Sequence, residues 1–444
     1  MIKAAMISLG CSKNLVDAET MLGAIQQRGW QTEEDPSKAD VIVVNTCGFI
    51  EDAQRESIDT VLEMAEYKKT GRCRALIVTG CMAQMFREQV KRELPEVDAV
   101  LGTGSYEKIC EAIENALEGR FYDSFMPIDR GVMHGDARIV TTPFYTAFLK
   151  IAEGCSNRCA YCAIPMIRGP FRSRPMEDIV REVEGLAKSG VKELIVIAQD
   201  TTRYGEDIYK RPSLAELLKR LCAVGGIEWI RVHYCYPERI DDELIETFAQ
   251  EKKLLHYFDI PVQHCSDKIL KAMRRRGDGA LVRSVIKRIR ERMPDAVIRT
   301  TLLVGFPGED DGDFEELCAF VDEMRFERLG VFAFSPQEGT PACTMDGQVD
   351  EETKKRRAEL IMQKQNIISA EFARSQVGRE LDILCEGADE NGVYFGRSYM
   401  DSPDVDPRVY FTSERGVGAG ETVRCRVTGC DEYDLFAREE EQAR

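Results

Sequence analysis

The sequence predicts an α/β protein in three parts: an N-terminal open parallel sheet domain, a central partial (βα)6 barrel and a small C-terminal five-stranded β-barrel. Three observations carry that prediction. Apolar runs alternate with helical stretches in two separate series, the pattern of parallel sheets covered by helices. After Ala373 the texture changes to short β-prone runs bounded by Gly, Asp, Asn and Pro. The chain has 444 residues, too many for one core, and length alone suggests about three domains.

Taken in order, the first domain spans residues 1–118, where AAMISLG, DVIVVNT, ALIVTG and DAVLG are each followed by a helical stretch. Residues 119–140 have no sustained period and contain turn formers, as a linker would. The barrel spans 141–371. Its strand-like runs are FYTAFLKIAEG, ELIVIAQD, IEWIRVHY, LLHYFDIPV, AVIRTTLLVGF and RLGVFAF, separated by helical segments such as MEDIVREVEGLAKSG. Six such units fit a partial barrel rather than an eight-unit one. A helix through the KKRR segment leads into the last domain, 372–441, with RELDILCEG, NGVYFGRS, RVYFTS, ETVRCRV and YDLFA as its five strands.

Composition bounds the chemistry. Hydrophobic residues make up 43% of the chain, and no run approaches the roughly 18 apolar residues of a membrane span. The opening MIKAAMISLG lacks a basic flank, long apolar stretch and cleavage site, so a cytoplasmic protein with no membrane partner is expected. Sixteen cysteines in such a chain argue for metal binding or catalysis rather than disulfides. The net charge of -17 repels RNA at long range and favours a basic protein partner. Two basic stretches, Lys271 to Arg276 and Lys354 to Arg357, read as solvated helix faces.

The strongest chemical signal is GCSNRCAYC, which sets Cys155, Cys159 and Cys162 at C-x3-C-x2-C spacing just after the first barrel strand. Three thiolates so close together can grip three irons of a 4Fe-4S cube and leave the fourth iron open to a ligand. A structural zinc site is the competing reading, but it needs four closed ligands, and the next cysteine is Cys222. A second triad stands at the ends of the first three strands: Cys11, Cys47 and Cys81, at separations of 36 and 34 residues, each one strand-helix unit. Parallel strands bring residues beyond their carboxyl ends to one edge, so the three thiols converge there, as the ligands of a second cluster with an open iron would.

Polar residues also fall at carboxyl strand ends of the barrel. Gln199 and Asp200 follow ELIVIA, Gln263 and His264 follow FDIPV, and Thr300, Gly305 and Glu309 punctuate RTTLLVGFPGE. Gln199 and Gln263 rank first as cofactor or substrate contacts, on position alone. Arg168, Arg172 and Arg174 lie just past the cysteine loop, where one of them can pair with a carboxylate of a bound cofactor. No residue is assigned as a catalytic acid or base.

GCSNRCAYC resembles the signature of the radical S-adenosylmethionine (SAM) enzymes. That resemblance implies that the open iron chelates SAM, that Tyr161 lies against the adenine, and that a reduced cluster cleaves SAM to a 5'-deoxyadenosyl radical. A three-cysteine α/β domain, a radical SAM barrel and a small β-barrel in this order resemble the methylthiotransferase family, whose terminal module is called TRAM. The family implies two 4Fe-4S clusters: one at Cys155, Cys159 and Cys162 to make the radical, one at Cys11, Cys47 and Cys81 to carry sulfur. A second SAM would supply the methyl group.

Two branches compete within that family. One modifies tRNA adenosines; the other modifies the β-carbon of an aspartate in ribosomal protein S12, taken free or on the small subunit. ISLGCSKNLVDAE, YFDIPVQHCSD and FAFSPQEGTPA resemble the S12 branch, with Ser12 where proline is common. The GGE run frequent in radical SAM proteins is replaced here by AQD. Residues 372–444 carry nine Arg and no Lys against sixteen Asp or Glu, a net -7 that suits a lysine-rich ribosomal protein better than RNA. The expected partners are therefore ribosomal protein S12, an electron donor such as a flavodoxin or ferredoxin, and a sulfur source. A tRNA methylthiotransferase is the alternative enzyme, and a non-catalytic iron-sulfur protein the alternative outside enzymes.

Overall fold

The computed structural model describes residues 1–130 and 138–440. His134, residues 131–137 of the expected linker and the last residue of the expected C-terminal domain lie outside the described residues. The three predicted architectures are all present.

The first sheet is parallel throughout, in the order Gln31–Thr32, Lys3–Ser8, Val41–Thr46, Ala75–Gly80, Ala99–Leu101, Tyr122–Ser124. Its central strands, Val41–Thr46 and Ala75–Gly80, are buried at every position, which is why they read as unbroken apolar runs. Helices Ser12–Gln27 and Ile109–Leu117 seal one face through Met21, Ile25, Ile109 and Ile113. Helix Glu51–Thr70 seals the other through Val61, Met64 and Ala65. The sheet has two strands more than the four apolar runs anticipated. Gln31–Thr32 and Tyr122–Ser124 are short edge strands, and the second lies within the stretch expected as linker.

The second sheet has six parallel strands in the order Thr146–Lys150, Glu193–Ile197, Trp229–Val232, Leu254–Gln263, Val297–Val304, Arg328–Ala333, each beside its sequence neighbour. Helices such as Met176–Lys188 and Leu214–Cys222 pack against it over the largest apolar core of the molecule. This winding gathers the carboxyl ends of all six strands at one end.

Helix Glu351–Gln376 leads from the barrel to a closed five-stranded barrel formed by Glu380–Ala388, Tyr394–Arg397, Val409–Thr412, Thr422–Cys430 and Leu435–Glu439. In Thr422–Cys430 the alternation is clear, with Val423, Cys425 and Val427 inside. This small barrel docks where the strands of the larger one begin: Glu193, first residue of its strand, is buried against Arg397. Among the described residues no helix is long and apolar enough to cross a membrane.

The basic segments differ from their reading as solvated faces. Lys354 and Arg357 are buried, Arg357 pairing with Glu309 at 2.9 Å and Asp311 at 2.8 Å, and Arg275 is buried too. Ion pairing with acidic loop residues turned half of the KKRR run inward.

Candidate active site

The first cysteine triad is assembled by strand register. Ser8 pairs with Asn45 and Thr46 with Gly80, so Cys11, Cys47 and Cys81 leave neighbouring strands at the same level. Cys11 caps helix Ser12–Gln27 and Cys81 starts helix Cys81–Met85. Cys47 is gripped at both main-chain groups by buried Ser57, whose Oγ accepts from the Cys47 N–H at 3.0 Å and donates to its carbonyl at 2.8 Å. Asn14 donates to the carbonyls of Leu9 and Thr46, at 2.8 and 3.1 Å, stitching two of the cysteine-bearing loops together.

Glycines make that close approach possible. A Cβ on Gly10 would lie 2.8 Å from the Cys47 Sγ, and one on Gly48 would lie 2.8 Å from the Met82 main chain. Gly80 has φ +96°, and a Cβ there would meet the Thr46 carbonyl at 2.5 Å. The result is a cradle of bare backbone with three thiols around it.

The second triad lies on the loop after Ala152–Glu153. Gly154, at φ +73°, lets that loop pass the Pro170 carbonyl, which a Cβ would approach to 2.2 Å. The Cys155 N–H donates to the Gly169 carbonyl at 3.0 Å, and the Cys162 N–H to that of Cys159 at 3.1 Å. Cys155 and Cys159 are buried and Cys162 is half-buried.

The two triads share a wall. Helix Ile164–Arg168 begins two residues after Cys162, and its Ile167, with Ala163, packs directly on Cys81. At its end Arg168 is buried among Asp17, Glu153, Asn14 and Cys81, with its Nη2 3.6 Å from the Cys81 Sγ. Lys150 completes the cluster, bonded to Asp17 and to Glu153. Across the same boundary Lys13 stands over the ring of Tyr234, 3.4 Å from its centroid.

Electrostatics separate the thiols. Burial pushes Cys81 up to about 12, although Arg168 pulls the other way, and burial pushes Cys155 up to about 11. Cys162 is raised by burial and then by Cys159, and Cys47 chiefly by burial. Cys11 is exposed at the surface, yet surrounding protein desolvates it and would raise it. The charges of Lys13 and Arg168 and main-chain N–H groups outweigh that and lower it. A bound iron's own charge reverses the cost of ionising a buried thiol.

The residues fit iron-sulfur clusters: two all-thiol donor sets of three, each at a glycine-shaped gap in the backbone. Among the described residues no three Cys, His, Asp or Glu side chains converge as ligands of a single ion would. Cluster ligands spread wider, since each thiolate takes its own iron.

Beside the second triad, Tyr161 packs edge-on to Phe306 at 6.4 Å and against Ile269, Met273 and Phe334, forming an apolar wall. Gln199 follows its strand with a buried Oε1 that has no protein partner. Gln263 ends its strand at φ +73°, a left-handed conformation that glutamine adopts at a cost. Asp200 accepts from Asn157 at 2.8 Å, tying the cysteine loop to the next strand end. His264 is fully buried, its Nδ1 accepting from the Ser266 N–H, its Nε2 3.6 Å from Glu309. Thr300 donates to the Ile260 carbonyl, and Glu309 accepts from the Gly305 N–H, so these three residues serve the scaffold.

Arg172 and Arg174 are likewise committed elsewhere, Arg172 to the Pro170 and Arg168 carbonyls and Arg174 to the Lys150 carbonyl and Glu182. Arg172 and Arg174 each keep one buried donor without a protein partner, the Nε, whereas both terminal nitrogens of Arg168 are bonded. Sequence reasoning missed a different group: Arg275, buried over the Tyr236 ring at 4.3 Å with an unpartnered Nη1, and the buried, unpartnered Glu238 Oε2. Polar atoms buried without partners mark places where a ligand can complete the hydrogen bonding.

Comparisons with known proteins agree in extent. Residues 3–102 match the uncharacterized protein family UPF0004, 149–321 the radical SAM superfamily, and 377–439 the TRAM domain. The chain is similar to the ribosomal protein uS12 methylthiotransferase RimO of Lachnoclostridium phytofermentans, 50% identical over 440 residues, 99% of this chain and 100% of that one. It is 47% identical over 436 residues to the protein of the same name from Clostridioides difficile, covering 98% of each. Among solved structures, the radical SAM methyltransferase TsrM from Kitasatospora setae superposes with a TM-score of 0.56 at 13% identity, over 77% of this chain and 74% of that one, a likeness of fold.

Proposed function

The chain belongs to the RimO family of ribosomal protein uS12 methylthiotransferases, and from that premise we propose how its residues divide the work. It is a radical SAM methylthiotransferase that inserts sulfur and a methyl group at the β-carbon of an aspartate of ribosomal protein uS12. Its cofactors are two 4Fe-4S clusters and SAM.

Cys155, Cys159 and Cys162 hold the cluster that binds SAM, and Cys11, Cys47 and Cys81 hold the one on the sulfur side. When bound, these groups supply radical formation, sulfur and the methyl group. The protein's own contribution is placement. Gly10, Gly48, Gly80 and Gly154 open the backbone for the clusters, and Ser57 and Asn14 fix the loops that bear the thiols. Tyr161 offers an apolar face to the adenine, and Gln199 and Gln263 hydrogen-bond SAM or substrate. Burial of Cys81, Cys155 and Cys159 keeps water from the sulfur ligands.

The observation that carries this reading is the packing of Ala163 and Ile167, just after the second triad, on Cys81 of the first. Two cofactors acting in turn on one carbon must share one cavity. The acidic C-terminal domain favours the basic protein substrate over tRNA. An electron donor such as a flavodoxin or ferredoxin, and a sulfur source, must come from outside the chain, and its setting is the cytoplasm.

The test offers reduced, cluster-reconstituted protein a uS12 peptide and a tRNA anticodon stem-loop together. A methylthio mass gain on the peptide aspartate is expected. A gain on RNA alone rejects the protein substrate, and no 5'-deoxyadenosine under strong reductant rejects the enzyme.

A further inference from the structure

Arg168 is a fixed positive charge with almost no exposure, set between two cysteine triads. Its Nη1 is taken by two carboxylates, Asp17 Oδ2 at 2.7 Å and Glu153 Oε2 at 3.1 Å. That leaves Nη2 for Asn14 Oδ1 at 2.9 Å and the Cys81 Sγ at 3.6 Å. Lys150, bonded to the same two carboxylates, brings the formal charge of the quartet to zero. Neutralisation alone needs no nitrogen aimed at a sulfur. The orientation does more than balance charge: the carboxylates turn the planar guanidinium so that its second edge faces the thiol.

We propose that Arg168 is a positioning residue that raises the reduction potential of the cluster held by Cys11, Cys47 and Cys81. This rests on the cluster assignment made above. Hydrogen bonds to cluster sulfurs, net charge and burial set such potentials. An N–H and a buried positive charge beside Cys81 favour the more negative, reduced state. The other charge facing this triad, Lys13, stands nearer Cys11 and is the same in every variant considered below. Arg168 is the charged member of the segment that follows Cys162 and packs on Cys81 with Ala163 and Ile167.

The experiment uses the full-length chain with Cys155, Cys159 and Cys162 replaced by alanine, reconstituted without oxygen, so that a single cluster is titrated by electron paramagnetic resonance. Arg168→Gln should lower the midpoint potential, and Asp17→Asn, which removes a neutralising charge, should raise it. Arg168→Lys should fall between parent and Arg168→Gln. Opposite signs are the signature, because general loosening of the pocket moves both variants the same way. Unchanged potentials, or shifts of one sign, overturn the inference. If Arg168→Gln takes up no iron, Asp17→Asn and Arg168→Lys decide by the same signs. A parent protein without iron at the first triad overturns the cluster assignment itself, whereas a loaded parent with unmoved variants overturns only the role of Arg168.

Discussion

Two buried ion clusters flank the central barrel, one at each end, and they differ in what is left over. At the carboxyl ends, Asp17, Lys150, Glu153 and Arg168 join the first domain to the barrel and leave one guanidinium nitrogen for Cys81. At the amino ends, Glu193 receives Arg397 at 2.6 Å and Arg231 at 3.2 Å, Arg397 also reaches Glu386, and Arg231 donates to the Tyr399 carbonyl. The lower cluster spends its charges on joining two barrels. Burial pushes the Glu193 carboxyl up, but Arg397 and Arg231 outweigh it and hold it at about 2. Buried charge by itself therefore marks an interface. A donor turned from that interface toward a thiol marks a site.

The contrast can be broken most severely at the thiols. Cys159→Ala should abolish SAM cleavage, read as 5'-deoxyadenosine, while Cys81→Ala should keep cleavage and lose all methylthio product. Equal loss of cleavage in both would end the division between triads. At the lower cluster, Arg397→Leu leaves the buried Glu193 with Arg231 as its one remaining cation and frees Glu386, and should cost about 3 kcal/mol in denaturant unfolding. Iron content per folded chain should stay at the parent value; a fall would mean the two ends are not separate.

Gly80→Ala probes the upper end with less force. Its positive φ and the 2.5 Å approach to the Thr46 carbonyl should cost roughly 1–3 kcal/mol and cut iron at the first triad while the second keeps its spectrum. The smallest effect is a pH dependence at the lower end. Burial pushes His233 down to about 3 from its usual 6.5, and its Nε2 lies 3.0 Å from Ser402 of the small barrel. The folded chain keeps it neutral while the unfolded chain protonates, so its contribution is complete above pH 6.5 and is lost as pH falls toward 3. Between pH 6.5 and 5.5 the loss should be about 1 kcal/mol. Melting curves should show it in the parent and a flatter slope in His233→Gln.

The sequence displayed what depends on local pattern. Glu193–Ile197 and the two central strands of the first sheet are near-continuous apolar runs because both faces are covered, whereas Arg328–Ala333 carries an exposed Phe332 and was legible from its β-prone residues. Gln31–Thr32 and Tyr122–Ser124 gave no such signal, being short, partly exposed edges. That Cys11, Cys47 and Cys81 follow neighbouring parallel strands was legible from spacing, while the glycine beside each of them, which brings their loops close, was not read. The contact of Arg168 with Cys81 was not legible, because 87 residues separate them and only domain docking joins them. Arg357 likewise looked like surface charge until Glu309, 48 residues earlier, came into place.

The wall that Ala163, Ile167 and Arg168 build around Cys81 also imposes an order on biogenesis. As the chain emerges, the first α/β domain can fold long before its cysteine pocket has all its sides. Translation must pass residue 168, and the nascent barrel must dock, before Cys81 gains its cover. The receptacle at the earlier thiols is thus finished only after the later ones have been synthesised.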